Sequence, residues 1–87
     1  MSPTYDRSAR FLRDIRKLTG QQRREFLAAR DRMVAGLRSR PPAFDPALRV
    51  KRVQGTDDTW EMTWAEDGRA TFRYGAEIKP GEPHVIW

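Results

Sequence analysis

The chain of 87 residues contains no cysteine, so neither a disulfide nor a thiolate metal site can staple it. It has one histidine, His84, which excludes a multi-histidine metal cluster. No run of about 18 apolar residues occurs, so no segment reads as a membrane-spanning helix. The N-terminus also lacks the apolar core of a secretory signal. These absences lead to the expectation of a soluble, cytoplasmic protein that uses no metal or other cofactor. At this length a single domain, residues 1–87, buries roughly 60–65% of its unfolded surface, so its core is marginal unless a partner adds to it.

Lysine is scarce too: among 17 basic residues only Lys17, Lys51 and Lys79 are lysines. The planar fork of arginine suits phosphate groups and base stacking, which turns the reading towards nucleic acid, although genomic base bias also enriches arginine. The net charge of +5 hides a split, since residues 1–40 carry 11 Lys/Arg against 4 Asp/Glu and residues 41–87 carry 6 against 8.

The most pointed segment runs from Trp60 to Tyr74. Trp60, Met62 and Trp64 alternate with Glu61 and Thr63, and Ala70, Phe72 and Tyr74 alternate with Arg69, Thr71 and Arg73. A period of two separates an apolar face from a polar one. Asp67-Gly68 between the two runs is a hairpin signal, because both residues tolerate the positive φ of a tight turn. Such a hairpin buries its aromatic face and presents arginines on a rigid platform. Arg69 and Arg73 are expected to face a polyanion, or else to be solvated positions with Glu61 as a cross-strand salt partner.

Upstream, Thr4 to Arg7 reads as a short first strand. Ser8 caps a helix over 9–18, with Phe11, Leu12, Ile15 and Leu18 at helical spacing. Thr19-Gly20 separates it from a second helix over about 21–38, whose expected buried stripe is Phe26, Leu27, Met33, Val34 and Leu37. Gly36 should weaken its last turn, and Pro41-Pro42 should stop it. So short a break implies an antiparallel helical hairpin. Leu48 to Val53 then reads as a strand, and His84 to Trp87 as another after a turn containing Pro80-Gly81. Four residues is short for a strand, and the segment reads as an interruption of one that normally continues. Helices first and strands after predict an α+β domain, a helical hairpin packed on one face of an antiparallel β-meander.

This order of elements resembles the RelE/ParE superfamily of toxins from type II toxin–antitoxin systems, most of all the RelE-like, phage-derived HigB-like branch. The resemblance is carried by Phe11-Leu-Arg-Asp-Ile-Arg-Lys-Leu18, Leu48-Arg-Val-Lys-Arg-Val53, Trp60-Glu-Met62 and His84-Val-Ile-Trp87, and it covers nearly the whole chain. It implies a metal-independent messenger-RNA endonuclease that works on the ribosome, inhibits translation, and is held in check by a cognate antitoxin protein. In that chemistry a ribose 2′-hydroxyl attacks the neighbouring phosphate, so a base, a cation for the crowded phosphorane and an acid are needed. Arg69 matches the family's arginine after the turn. Glu61 and Thr63 stand where the family has lysines, and the family's C-terminal basic segment has no counterpart before Trp87.

The resemblance thus implies Arg69 and Glu61 as catalytic candidates, and His84 joins them because its ordinary pKa lies near neutrality. Arg73, Arg49, Lys51 and Arg52 are the candidate RNA-binding residues. A lone histidine at a strand start is otherwise a surface or turn residue. Trp60, Trp64, Phe72 and Tyr74 are read as core, with base stacking as the alternative. The helical arginines, Arg13, Arg16, Arg23, Arg24, Arg30 and Arg32, are a solvated face or a surface for docking on ribosomal RNA. Two other readings stay open: a toxin-fold binding protein without chemistry, and a ParE-like inhibitor of DNA gyrase.

Overall fold

In a computed structural model, which describes residues 3–39 and 42–87, the chain is an α+β domain with two helices and a five-stranded mixed sheet. Strand β1 (Thr4–Asp6) leads into helix α1 (Ala9–Arg16) and helix α2 (Gly20–Leu37), followed by β2 (Lys51–Arg52), β3 (Thr59–Ala65), β4 (Gly68–Gly75) and β5 (His84–Ile86). The sheet order is β1-β5-β4-β3-β2. The strands from β2 to β5 make the expected antiparallel meander. Strand β1 then adds itself in parallel beside β5, which makes the sheet mixed.

Both helices start where local chemistry satisfies their free N–H groups. The Ser8 hydroxyl accepts from the Phe11 N–H at 3.1 Å. At α2, Thr19 Oγ1 accepts from the Gln22 N–H at 3.1 Å while Gln22 Oε1 accepts from the Thr19 N–H at 2.9 Å, a reciprocal capping box. Helix α1 ends at Arg16, short of the expected Leu18, although Leu18 still packs against the core with Phe11 and Ile15. No residue of α1 is fully buried. Pro42 is an exposed loop residue, while Pro41, the other half of the expected helix stop, lies outside the described residues.

The α2 stripe is narrower than expected. Phe26, Ala29, Met33 and Leu37 are buried, whereas Leu27 is exposed and Val34 only partly covered. These two residues sit one helical position round from the stripe and look past the edge of the sheet. Gly36 earns its place by close approach: a Cβ there would lie 2.6 Å from the Ala43 carbonyl oxygen and 2.9 Å from the Phe44 ring. The return loop crosses the helix at that point, and the Ala43 N–H donates to the Gly36 carbonyl at 3.1 Å.

The hairpin alternation holds, but its turn is Glu66-Asp67, Gly68 already belongs to β4, and neither Asp67 nor Gly68 takes the positive φ expected of them. Trp60 pairs with Phe72 and Met62 with Ala70 on the helix-covered face, and Thr59 with Arg73, Glu61 with Thr71 and Thr63 with Arg69 on the other. Met62 and Phe72 are fully buried, and Trp64 lies over Gly68 so closely that a Cβ there would be 2.4 Å from the indole. Trp87 is buried at the centre of an aromatic cluster, with ring centroids 5.8 Å from Phe11, 5.7 Å from Phe26 and 5.5 Å from Phe72. Tyr74, expected in the core, is 40% exposed at the end of β4, where partial burial pushes its hydroxyl above the ordinary 10.0.

The strand expected from Leu48 to Val53 is largely replaced. Asp45 accepts from the Ala47 N–H at 2.9 Å, Pro46 sets the first helical φ, and Pro46–Leu48 forms a 3-10 turn that drives Leu48 into the core. Arg49 then turns left-handed, with φ 47°, and only Lys51–Arg52 pair with β3. The alternation of Leu48, Val50 and Arg49 mimicked a strand, but the Asp45-Pro46 capping signal prevailed locally.

Candidate nucleic-acid interface

The helices cover one side of the sheet and leave the other to polar side chains. From register, that open side carries Lys51 on β2, Thr59, Glu61 and Thr63 on β3, and Arg69, Thr71 and Arg73 on β4. Lys51 lies directly opposite Glu61, and Thr71 lies opposite Glu61 on its other flank. Arg69 and Arg73 stand two positions either side of Thr71, on the diagonals from Glu61, within reach of long side chains. Three cations therefore surround one carboxylate.

Arg69 is held at the turn end of this face. One terminal nitrogen of its guanidinium donates to the carbonyls of Ala65, Glu66 and Gly68 at 3.4, 3.3 and 3.1 Å. Its Nε approaches Glu61 Oε1 at 3.9 Å, a long ion pair. Lys51 and Arg73 are exposed and have no ion-pair partner among the described residues. Arg69 and Arg73 are separated by four residues of strand, which places their α-carbons roughly 13 Å apart, not the 7 Å of neighbouring same-face positions. That span matches about two phosphate steps of an extended single strand.

The other expected site residues do not all join this face. Arg52 lies opposite Trp60 and so turns to the helix-covered side of the sheet at its edge. Arg49 is not on a strand but on the left-handed residue after the 3-10 turn. His84 pairs with Gly75, six positions along β4 from Arg69, roughly 20 Å at the rise of a strand.

His84 is also not a surface or turn residue; it is 4% exposed. Its Nε2 lies 2.9 Å from Asp6 Oδ2 and its Nδ1 2.7 Å from Thr4 Oγ1, across the parallel β1–β5 pair. A carboxylate only accepts, so Nε2–H donates to Asp6, and in the neutral ring Nδ1 accepts the Thr4 hydroxyl proton. Both nitrogens are thereby used within the protein. The composition alone pointed to His84 for its pKa; its partners 78 and 80 residues away were invisible to any local pattern.

No group of three or more His, Asp or Glu among the described residues is placed to hold a metal ion. No described helix is long and apolar enough to cross a membrane. Fold and face together define a small α+β domain that offers a cation-rich open sheet on the side away from its helices. No family model, curated protein or solved structure matches the chain.

Proposed function

We propose that the protein is the toxin of a RelE-like type II toxin–antitoxin pair, a cytoplasmic, ribosome-dependent messenger-RNA endonuclease. The observation that carries this reading is the open sheet face, where Lys51, Arg69 and Arg73 surround Glu61. Lys51 and Arg73 hold the phosphate backbone by charge. Arg69 stabilises the developing phosphorane, and its guanidinium is oriented beforehand by three turn carbonyls. In this reading Glu61, beside Arg69, accepts the 2′-hydroxyl proton as the 2′-oxygen bonds to phosphorus, and water protonates the 5′-oxygen released when its bond to phosphorus breaks. Primer extension on a reporter message in a translating extract tests this: new 5′ ends that need both the protein and ribosomes support cleavage, and an intact message refutes it.

One observation favours a second reading, a binding protein without chemistry. In this structure the Glu61 carboxylate is paired with Arg69 and stands where phosphate would have to approach. The two readings share a prediction about affinity. Glu61→Gln removes the one negative charge from the face, so single-stranded RNA should bind about 3–5-fold tighter at low salt, with the gain fading as salt screens it. Fluorescence anisotropy at two salt concentrations measures this, and weaker binding by the variant would show that RNA does not use this face. Under the endonuclease reading the same variant cleaves more slowly although it binds better.

In this reading the antitoxin seats against β1 and α2. A groove of about 310 Å³ between β1 and α2 is lined by exposed Tyr5 and Leu27 and by Val34. Beside it the outer edge of β1 pairs with no strand among the described residues. An added strand or amphipathic helix would cover both. The complex with the product of the neighbouring gene should melt about 10 °C or more above the isolated chain, through binding to the folded state alone. Equal melting temperatures at saturating partner would count against this seat.

A further inference from the structure

The bare edge of β3 opens onto a cavity of about 470 Å³ between the hairpin, the 3-10 turn and α2. Strand β2 ends opposite Glu61, so beyond that point β3 has no strand neighbour on this side among the described residues. Arg32 from α2 and Arg49 from the residue after the 3-10 turn line the cavity, and Arg69 from β4 borders it at the hairpin turn, its guanidinium already held by turn carbonyls and by Glu61. Buried Leu48 and Ala29 lie among its lining residues and give it an apolar floor.

Two features set this cluster apart from a solvated basic surface. First, Glu25 and Glu66 also line the cavity, yet neither forms an ion pair with any of the three arginines. Glu25 instead accepts from Gln21 Nε2 at 3.2 Å, and Arg32 and Arg49 have no hydrogen-bond or ion-pair partner for their side chains among the described residues. Second, Arg49 is the one non-glycine residue with positive φ among those described. A left-handed arginine costs about 1–2 kcal/mol that glycine at this position would largely avoid, and local strain of that kind concentrates at functional sites.

We infer that this cavity is a binding site for a phosphate monoester, supplied either by a free nucleotide or by the 5′ end of an RNA. Guanidinium forks match phosphate oxygens bidentately, and several together favour a dianion over the single charge of an internal phosphodiester. With an apolar floor the cavity admits a terminal group from its open side. The volume falls within the range of small-ligand sites and leaves room beyond the phosphate for a sugar and base, with Trp64 in the wall. The inference does not rest on endonuclease activity, because binding is read without ribosomes.

The experiment is an NMR titration of the full chain, following arginine side-chain and backbone signals. The probes are adenosine 5′-monophosphate and one short RNA prepared with a 5′-phosphate and with a 5′-hydroxyl. Saturable shifts at Arg32 and Arg49 are expected with the mononucleotide, with the phosphorylated RNA, or with both; mononucleotide binding identifies a nucleotide site, and binding of phosphorylated RNA alone identifies an end-recognition site. Arg32→Ala should weaken binding about tenfold. Arg49→Gly should weaken it by a similar factor while raising Tm by about 4 °C through relief of strain, opposite movements that separate ligand binding from folding. Failure of both the mononucleotide and the phosphorylated RNA to give saturable shifts at Arg32 and Arg49, shifts there that the 5′-hydroxyl RNA reproduces equally, or undiminished affinity in both variants would overturn the proposal.

Discussion

Arg69→Ala is expected to lower ribosome-dependent cleavage by about 10²–10³-fold, the usual consequence of removing one preorganised donor from a developing oxyanion. The effect on stability should be small, about 0.5–1 kcal/mol, because the side chain is half exposed and its partners are three turn carbonyls at 3.1–3.4 Å and a long ion pair to Glu61. Arg69→Lys preserves the charge but not the fork, and it should fall between the two. Cleavage is read by primer extension and stability by urea unfolding on the same preparations. If Arg69→Ala cuts at the parental rate, the chemistry is not centred on the hairpin. If the parent itself leaves messages intact, the binding-protein reading replaces the enzyme.

His84→Ala should act in the opposite way, on stability before activity. The ring is buried and links β1 to the sheet through Thr4 and Asp6. Its removal forfeits two hydrogen bonds, strands the Thr4 hydroxyl and opens a cavity, together about 2–4 kcal/mol. Against the 5–15 kcal/mol typical of a whole domain that is a large share, and for this length it corresponds to a fall in Tm of about 10–25 °C. Hydrogen exchange should show the loss concentrated at β1 and β5. Cleavage per folded molecule, measured well below Tm, should survive. A variant as stable as the parent but inactive would return His84 to acid–base chemistry.

The difference between these two residues shows where sequence reasoning reaches. Arg69 was legible because its place depends on a period of two and a nearby turn, both local, even though the turn falls at Glu66-Asp67 and not at the expected Asp67-Gly68. The register Trp60–Phe72, Met62–Ala70 and Thr63–Arg69 follows from the same alternation. His84 was not legible, since nothing near it in the chain announces Thr4 and Asp6. The same holds for Arg32 and Arg49, which join Arg69 around one cavity only after α2 and the 3-10 turn have packed against the hairpin. Leu27 and Val34 looked like core for the complementary reason: helical spacing identifies apolar residues, but not where the sheet beneath them ends.

The amino-acid order by itself determined the helices and their caps, the central hairpin with its apolar and cationic faces, and the concentration of arginine. These depend on interactions between residues a few positions apart, where backbone geometry leaves few choices. Tertiary structure decided that β1 joins β5 in parallel, that Trp87 stands at the aromatic centre, and that Pro46–Leu48 turns where a strand was expected. Each of these is settled by burial among residues distant in the chain. Burial is a property of the packed whole, and no window of sequence contains it.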